Sequence, residues 1–386
     1  MIEIKDKELC TGCHACKNIC PKRCIIMNPD GEGFLYPKVD KSKCIDCNLC
    51  DKVCIMYKNN INNQKENTKV FALNSKDEKI RENSSSGGAF TLISNYILKN
   101  GGVVFGAMFN EEFEVIHGYI EDINEINKLQ GSKYVQSKIG DSFQKAKYFL
   151  DGGKLVYFSG TPCQIEGLKM FLRKDYENLV TQDIFCHGVP SPKVWKKYIG
   201  YRKRIDLESP EHISFRNKDI GWKNFSMKFK YSNGKEYINE KNNDMFMIGF
   251  LRNVFLRPSC YNCKLKSLER NSDITLGDCW EIADLKKEMF DDKGTSFVIT
   301  HSNKGEKIFE KIKHNGVICE FDVSDGVQNG GLYHSAYLNL ERKKYFKNLD
   351  KLEFDELSKK YYGDSFYLKI RRTIARKNII AKILNR

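Results

Sequence analysis

The feature that most constrains this chain is a duplicated cysteine pattern near its beginning. The first run extends from Cys10 to Cys20 and the second from Cys44 to Cys54, both with the spacing C-x2-C-x2-C-x3-C. In this spacing three thiolates hold one iron–sulfur cube and the fourth reaches a neighbouring cube. The pattern therefore predicts two [4Fe–4S] clusters. One would be held by Cys10, Cys13, Cys16 and Cys54, and the other by Cys44, Cys47, Cys50 and Cys20.

Two other uses of these cysteines fit the sequence less well. Structural zinc takes four ligands, typically as separated C-x2–4-C pairs. The two runs here instead have three closely spaced cysteines followed by a fourth, which does not suit zinc. A disulfide framework belongs to short secreted domains, whereas this chain has 386 residues and no apolar secretory signal after Met1. We therefore expect metal ligation in a reducing cytoplasm. Residues 1–57 resemble a bacterial two-cluster ferredoxin domain, whose task is one-electron transfer, and Cys24 is expected to be an unligated, packed thiol.

The net charge of the chain indicates less about its partners than the cysteines indicate about its cofactors. The formal net charge is +14, which suits nucleic acid, an anionic membrane surface or an acidic electron-transfer partner. No nucleic-acid-binding motif accompanies the charge, so no nucleic-acid partner is expected. Residues 338–386 are predicted to form a basic helical tail. Its end, from Ser365 to Arg386, carries seven Lys or Arg and no acid, and suits either peripheral membrane contact or a docked terminal helix with a solvated basic face.

Between the cysteine runs and the tail, the chain reads as an α/β body. A polar linker is expected over residues 58–69, followed by two parts, 70–150 and 151–337. Strands are predicted over residues 70–73, 103–108, 155–159 and 225–231, and helices over 89–99 and 164–174. Strands that alternate with helices indicate an α/β (α+β) body, here behind the ferredoxin-type segment.

Six motifs in this body occur together and in order. They are Ser84–Thr91, Gly131–Ser137, Gly160–Ile165, Phe185–Pro192, Pro258–Cys263 and Ser272–Asp278. With them, the chain resembles the beta subunit of coenzyme F420-reducing hydrogenase and F420 dehydrogenase, in the form that carries an N-terminal two-cluster ferredoxin. The resemblance spans about residues 70–337. It implies a flavoprotein oxidoreductase that binds FAD without a covalent bond.

The resemblance also implies a third [4Fe–4S] cluster near the flavin. The matching ligands here are Cys163, Cys186, Cys260 and Cys263, a four-thiolate set that suits iron–sulfur or zinc. The alternatives are a packed Cys163, a catalytic Cys186 beside His187, or a zinc pair at Cys260 and Cys263. Two further cysteines remain: Cys279 is either a small buried hydrophobe or an alternative ligand, and Cys319 is expected in the core.

The FAD site has to be built without a Rossmann fingerprint, because no G-x-G-x-x-G occurs in the chain. The loop before the predicted helix at 89–99 offers small residues and first-turn N–H groups, which suit a phosphate. With the resemblance, this places pyrophosphate contacts at Ser86, Gly87 and Gly88. A second candidate group is Ser132, Lys133, Tyr134 and Gln136, where Lys133 is either a phosphate or ring contact or an ordinary surface lysine. His187 is expected to hydrogen bond a cluster sulfur, and no catalytic residue is identified.

The expected activity is electron exchange between a hydride carrier and ferredoxin-type clusters through FAD. The family's carrier is F420H2, although another carrier and the reverse direction also fit. FAD is needed because a hydride carries two electrons and a cluster moves one. Expected partners are F420 or another hydride carrier, and ferredoxin or a partner oxidoreductase subunit. Two other functions fit the same residues: a non-catalytic electron-transfer subunit of a larger complex, or a ferredoxin-driven reductase in surface-polysaccharide biosynthesis.

Overall fold

The fold centres on an eight-stranded mixed sheet. The computed structural model describes residues 1–57, 68–322 and 330–363. Most of the expected linker and the basic segment from Ser365 to Arg386 therefore lie outside the described residues. The strands are β1 (Ile25–Pro29), β2 (Leu35–Val39), β3 (Lys69–Ser75), β4 (Val103–Phe109), β5 (Val115–Ile120), β6 (Val156–Ser159), β7 (Leu179–Ile184), β8 (Pro210–Asn217), β9 (Ser226–Tyr231), β10 (Glu236–Glu240), β11 (Ile274–Asp278), β12 (Ser296–Thr300) and β13 (Gly316–Phe321).

The strand order of the large sheet is β13-β3-β12-β11-β7-β6-β4-β5. The four central strands, β11, β7, β6 and β4, run parallel to one another. The neighbours on both sides pair antiparallel. Parallel strands need crossover connections, and those from β4 to β6 and from β6 to β7 carry helices. Because parallel strands end at the same edge, the loops that follow β6, β7 and β11 meet there.

Helices cover both faces of this sheet. The α-helices of the described ranges are α1 (Ala15–Ile19), α2 (Leu49–Lys52), α3 (Glu78–Glu82), α4 (Ala89–Lys99), α5 (Ser142–Asp151), α6 (Pro162–Leu172), α7 (Pro192–Asp206), α8 (Met245–Leu251), α9 (Ile282–Leu285), α10 (Asn303–Ile312), α11 (Gly330–Tyr333), α12 (Arg342–Asn348) and α13 (Phe354–Tyr361). Those that cover the large sheet include α4 and α10 on one face and α5 and α6 on the other. Val104 joins the core formed with α4 and α10. Its neighbour Val103 joins the core formed with α5 and α6. This alternation is what a strand buried on both faces requires.

A second core surrounds the antiparallel sheet of β8, β9 and β10. It is mostly aromatic, with Trp195, Phe229 and Phe246 buried against the C-terminal helices through Tyr345 and Phe354. Large aromatic side chains bury much apolar area each, so this core fixes the smaller sheet beside the large one. The smaller sheet closes one side of the edge at which β6, β7 and β11 end, because Phe225 and Arg216 reach the cavity there.

The cysteine-rich segment packs directly on the body. Ala15 and Val53 belong to the same buried core as Ile165 and Leu168 of α6. Asn18 also donates from its side-chain amide to the carbonyl of Gly140 at 3.0 Å. The segment is therefore fixed against α5 and α6 by apolar burial and by hydrogen bonds.

The secondary structure expected from the sequence is confirmed in the body. The helix at 89–99 has the expected bounds, and the four expected strands and the helix beginning near residue 164 occur within two residues at their starts. The α/β class is confirmed in the coarser form of a mixed α/β fold with a large mixed sheet. Among the helices of the described ranges, none is long and apolar enough to cross a membrane.

Candidate functional site

A cavity of about 510 Å³ opens at the edge where the central strands end. Its walls come from three loops that follow parallel strands: Ser159–Thr161 after β6, Ile184–Val189 after β7, and Leu276–Trp280 around the end of β11. In open α/β sheets, ligands bind at the carboxyl ends of the strands. The position and volume of this cavity suit a small-molecule or cofactor site.

The first sequence-predicted flavin loop lies against this cavity. Ser86 and Gly88 line it, and Gly88 has φ of 100° at the N-terminus of α4. Gly88 has no side chain to cap α4, and the N–H of its first residue, Ala89, donates to Ser296 Oγ at 3.4 Å. The other N–H groups of the first turn are of the kind that suits an anion. Gly87 is turned away from the cavity. A Cβ at Gly87 would stand 2.0 Å from the carbonyl oxygen of Leu73, so this glycine allows the loop to pack tightly on β3.

The second predicted group is divided by the fold. Ser132 lines the cavity and its backbone N–H donates to Ser85 Oγ at 2.7 Å, which joins the two loops. Tyr134 also lines the cavity, with its ring stacked on Phe250 at 4.8 Å. Gln136 lies elsewhere: its amide nitrogen donates to the carbonyl of Thr11 in the cysteine-rich segment at 3.0 Å. Gln136 therefore contacts the cysteine-rich segment, whereas Ser132 and Tyr134 of the same predicted group line the cavity.

Lys133 is a partly buried residue on the cavity wall. Its Nζ donates to backbone carbonyls of the preceding turn, including that of Gln130 at 2.7 Å. Burial lowers the pKa of Lys133 to about 7. Through these carbonyl contacts the lysine closes its own loop.

The sequence did not point to the most buried ion pair at this site. Arg216 on β8 is 3% exposed, and its Nη1 lies 2.8 Å from Asp278 Oδ2 at the end of β11. The same guanidinium donates to Tyr134 Oη at 3.1 Å and to the Ser85 carbonyl at 3.0 Å. Trp222 donates from Nε1 to Asp278 at 3.1 Å. The pair therefore connects the smaller sheet, both predicted flavin loops and the large sheet in one network. Asp278 ends one of the six motifs, but no sequence signal indicated its partner.

His117 is a second cavity residue that sequence reasoning missed. Its Nε2 lies 2.7 Å from the carbonyl oxygen of Ser159, and its Nδ1 lies 3.2 Å from Ser137 Oγ. Because a carbonyl only accepts, Nε2 carries the proton. Burial lowers the pKa of His117 to about 4, so the ring is neutral at physiological pH.

The fold brings the four cysteines of the expected third cluster together beside this cavity. Cys163 begins α6, Cys186 lies in the loop after β7, and the other two are in and just after the short 3-10 helix Pro258–Asn262. Burial raises the pKa of Cys163, and the neighbouring thiolates of Cys186, Cys260 and Cys263 raise it further. Cys186 also lines the cavity. The three loops that the motifs identify therefore converge on one place.

The eight cysteines of the duplicated runs separate into the two expected groups. Cys10, Cys13, Cys16 and Cys54 line one small pocket with apolar neighbours. Cys20, Cys44, Cys47 and Cys50 line another, in which Cys24 takes part as well. The backbone N–H of Ile2 donates to Cys50 Sγ at 3.3 Å, a contact of the kind that tunes cluster potentials.

These groups of thiols are compatible with iron–sulfur clusters. In the described part of the chain, no set of three or more Cys, His, Asp or Glu is arranged so that it could hold one metal ion. Burial raises the pKa of Cys13 to about 11 and of Cys260 to about 12. Loading these sites therefore requires the release of thiol protons.

Two remaining residues have positions that the sequence left open. Cys279 is fully buried in the core with Trp222 and Phe297. Burial raises its pKa, and Cys319, which packs against the same core, raises it further. This position favours the buried-hydrophobe interpretation of Cys279 over the ligand one. His187 pairs through Nε2 with Asn253 Oδ1 at 2.6 Å, and so its ring is directed at an amide where a sulfur contact was expected.

The mixed α/β fold places a cavity and a group of thiols at its strand ends, and the comparisons with known families identify the class of protein as an oxidoreductase. The model for the N-terminal part of the coenzyme F420 hydrogenase/dehydrogenase beta subunit matches residues 70–143, and the model for its C-terminal part matches residues 153–325. Together they cover more than half of the chain. The chain therefore belongs to the coenzyme F420 hydrogenase/dehydrogenase beta subunit family, as the six motifs suggested.

Two individual proteins also show similarity. A 62-residue stretch is 37% identical to one subunit of the H2:CoB-CoM heterodisulfide,ferredoxin reductase of Methanothermobacter marburgensis, covering 13% of this chain and 9% of that protein. The chain thus spans less than a tenth of the curated relative it matches. A solved structure of the F420-reducing [NiFe] hydrogenase complex from Methanosarcina barkeri is 18% identical, with a TM-score of 0.47 over 76% of this chain and 91% of that one.

Proposed function

We propose that this chain is an iron–sulfur flavoprotein that exchanges electrons between a hydride carrier of the F420H2 type and ferredoxin-type clusters. The observation that carries the proposal is the convergence of twelve thiols into three groups, the third of which borders the cavity. FAD, when bound, supplies the conversion between a two-electron hydride and single electrons. The cofactor set proposed is one FAD and three [4Fe–4S] clusters.

Helix α6 connects the cavity with the cysteine-rich segment. Cys163 lies in its first turn, beside the cavity, and Gly167 lies one turn later on the same face. A Cβ at Gly167 would stand 3.0 Å from Cys13 Sγ. Helix α1 then holds Cys16 of one group and leads directly to Cys20 of the other. The three thiol groups thus follow one another along two helices, which supports a one-electron path from the cavity to the exposed Cys47.

The cavity residues suit a flavin nucleotide. Beyond Ala89, whose N–H donates to Ser296 Oγ, the first turn of α4 offers N–H groups to a phosphate. The Ser86 and Ser132 loops are held together there by Ser85. Tyr134 and Trp280 provide flat apolar walls. Trp280 is itself stacked on the buried ring of Trp222, with ring centroids 4.5 Å apart. In this proposal the chain binds the ring system, excludes water from it and presents the Arg216–Asp278 ion pair to it.

The assignment is tested by cofactor analysis of the protein purified without oxygen. Three cubes and one flavin require about twelve irons with matching acid-labile sulfide and one FAD per chain. Cys163→Ser should reduce the iron to about eight, because one cube loses a ligand. Cys279→Ser is the matched control, since Cys279 is buried in another core, and should keep all of the iron.

Other results would point to other functions. Iron and sulfide without flavin would indicate a relay protein that passes electrons between a carrier and a partner oxidoreductase. Zinc in the cysteine sites and no yellow chromophore released on heating would exclude electron transfer altogether. With flavin present, anaerobic reduction of a dye by F420H2, compared with other hydride donors, would identify the carrier. A partner within a larger complex is proposed as well, because the matching family is one of beta subunits and the curated relative is itself named as one subunit of a reductase.

A further inference from the structure

Arg257 is a cation buried between two of the thiol groups. It is 1% exposed, and among the described residues no Asp or Glu forms an ion pair with it. Its backbone is fixed by the body: Arg257 N–H donates to the Val189 carbonyl at 3.0 Å, and Cys260 N–H donates to the Arg257 carbonyl at 2.9 Å. Since the guanidinium keeps its proton in proteins, its charge has to be balanced by something nearby.

The side chain crosses the interface to the cysteine-rich segment. Nε donates to the Cys10 carbonyl at 2.8 Å, and Nη2 donates to the Leu35 carbonyl at 3.0 Å. Nη1 donates to Gln136 Oε1 at 2.9 Å. The remaining contact is with sulfur: Nη2 lies 3.7 Å from Cys10 Sγ. The guanidinium also lies over the ring of Tyr36, 4.4 Å from its centroid.

The cysteine loop is shaped to admit this group. Gly12 has φ of 69°, and a Cβ there would stand 2.7 Å from Arg257 Nη1. Any side chain at this position would therefore displace the guanidinium from Cys10. Because its donors are otherwise used on neutral oxygens, the anionic group within reach of Arg257 is a metal-bound thiolate at Cys10.

We propose that Arg257 sets the reduction potential of the cluster held by Cys10, by stabilising the negative charge that arrives with an electron. This inference rests on the proposed function, since it needs the cluster to be present. One electron from the reductant is added and no proton moves, because the guanidinium stays protonated throughout. Arg257 is thus a positioning and charge-supplying residue between the cavity-side thiols, which include Cys260, and the Cys10 group.

The test is an EPR-monitored redox titration of the anaerobic full-length protein, with dithionite as reductant. Arg257→Gln should make reduction of one cluster at least tenfold less favourable, which for one electron is a shift of about 59 mV to lower potential. Arg257→Lys keeps the positive charge, so it should shift the reduction potential of that cluster by less than about 59 mV. Unchanged reduction potentials in Arg257→Gln would overturn the proposal. A shift of the cluster's potential by about 59 mV or more in Arg257→Lys would overturn it too. If Arg257→Gln does not fold, the Lys variant alone decides.

A matched control separates charge at the sulfur from general loosening of the interface. Arg342 also ties the body to the cysteine-rich segment, donating from Nη1 to Glu32 Oε1 at 2.9 Å, but it has no contact with Cys10. Arg342→Gln should leave all cluster potentials in place. An equal shift of all clusters in both variants would refute a specific role for Arg257. Absence of any cluster signal in the unaltered protein would instead refute the proposed function.

Discussion

Gly87 provides a sharp test of what the Ser-Ser-Gly-Gly loop is for. An ideal Cβ at this residue would stand 2.0 Å from the Leu73 carbonyl oxygen and 2.5 Å from the Ser296 backbone nitrogen. Both atoms belong to paired strands of the large sheet, so neither can move as the end of a flexible side chain could. The φ of Gly87 lies outside the left-handed region, so the effect of Gly87→Ala is a packing effect alone. Overpacking of this kind costs about 1–3 kcal/mol, and two backbone clashes place this case at the upper end.

Gly200→Ala is a control that should change the stability of the protein in the opposite direction. It is exposed in the interior of α7, and a Cβ there meets nothing within 4 Å. Since glycine inside a helix is less stable than alanine by about 0.5–1 kcal/mol, Gly200→Ala should stabilise the protein slightly. Thermal unfolding without oxygen, with the FAD content of each sample measured beforehand, compares the two variants. For bodies of about 150–250 residues each kcal/mol shifts Tm by about 2–4 °C, so Gly87→Ala should melt several degrees lower.

The outcome separates packing from ligand contact. If Gly87 serves packing, Gly87→Ala loses stability at a given FAD content. A variant with unchanged Tm after FAD removal, but with weaker FAD binding, would show that the glycine admits the ligand and that the packing argument is wrong.

Three further predictions follow from buried groups. Asp278→Asn leaves the buried guanidinium of Arg216 unpaired, which should lower the free energy of unfolding by about 3–5 kcal/mol. The control Glu78→Gln breaks an exposed ion pair with Lys293 and should leave Tm nearly unchanged. Equal shifts in Tm for the two variants would refute the burial argument. Because burial lowers the pKa of His117 to about 4, the unfolded chain gains its proton first as the pH falls. Stability should therefore decline from about pH 6.5 towards pH 4, and His117→Gln should flatten that decline in a series of Tm measurements; an unchanged slope would contradict it. Gly167→Ala would press a methyl group against Cys13 and should slow single-turnover reduction of the cysteine-rich segment while the iron content is kept; an unchanged rate would count against the path along α6.

Much of the site was readable from the sequence because it depends on local spacing. The two C-x2-C-x2-C-x3-C runs predicted which four thiols group together, and the pockets contain those groups. The positions of strands and helices in the body followed from periodicity and turn residues. Family membership followed from the six motifs and was confirmed by the family models.

Other features depend on residues that are distant in the chain, and no local pattern marks them. Arg216 and Asp278 are 62 residues apart and meet only because the smaller sheet folds over the end of β11. Gln136 and Gly87 lie within motifs, yet the fold directs one to Thr11 and the other to Leu73. The reason is that a motif fixes a residue's neighbours along the chain, while the direction of its side chain depends on what packs against it.

The sequence by itself determined which thiols are grouped and the class of fold, since thiol spacing and hydrophobic period act over a few residues. Only the tertiary structure decided how these parts are joined. Strand order placed three loops at one sheet edge, and packing on α6 brought the cysteine-rich segment to the cavity side of the body. The placement of Arg257 beside Cys10, 247 residues away in the chain, is of the same kind. A buried charge is positioned by the sum of its contacts, and those contacts exist only once the chain has folded.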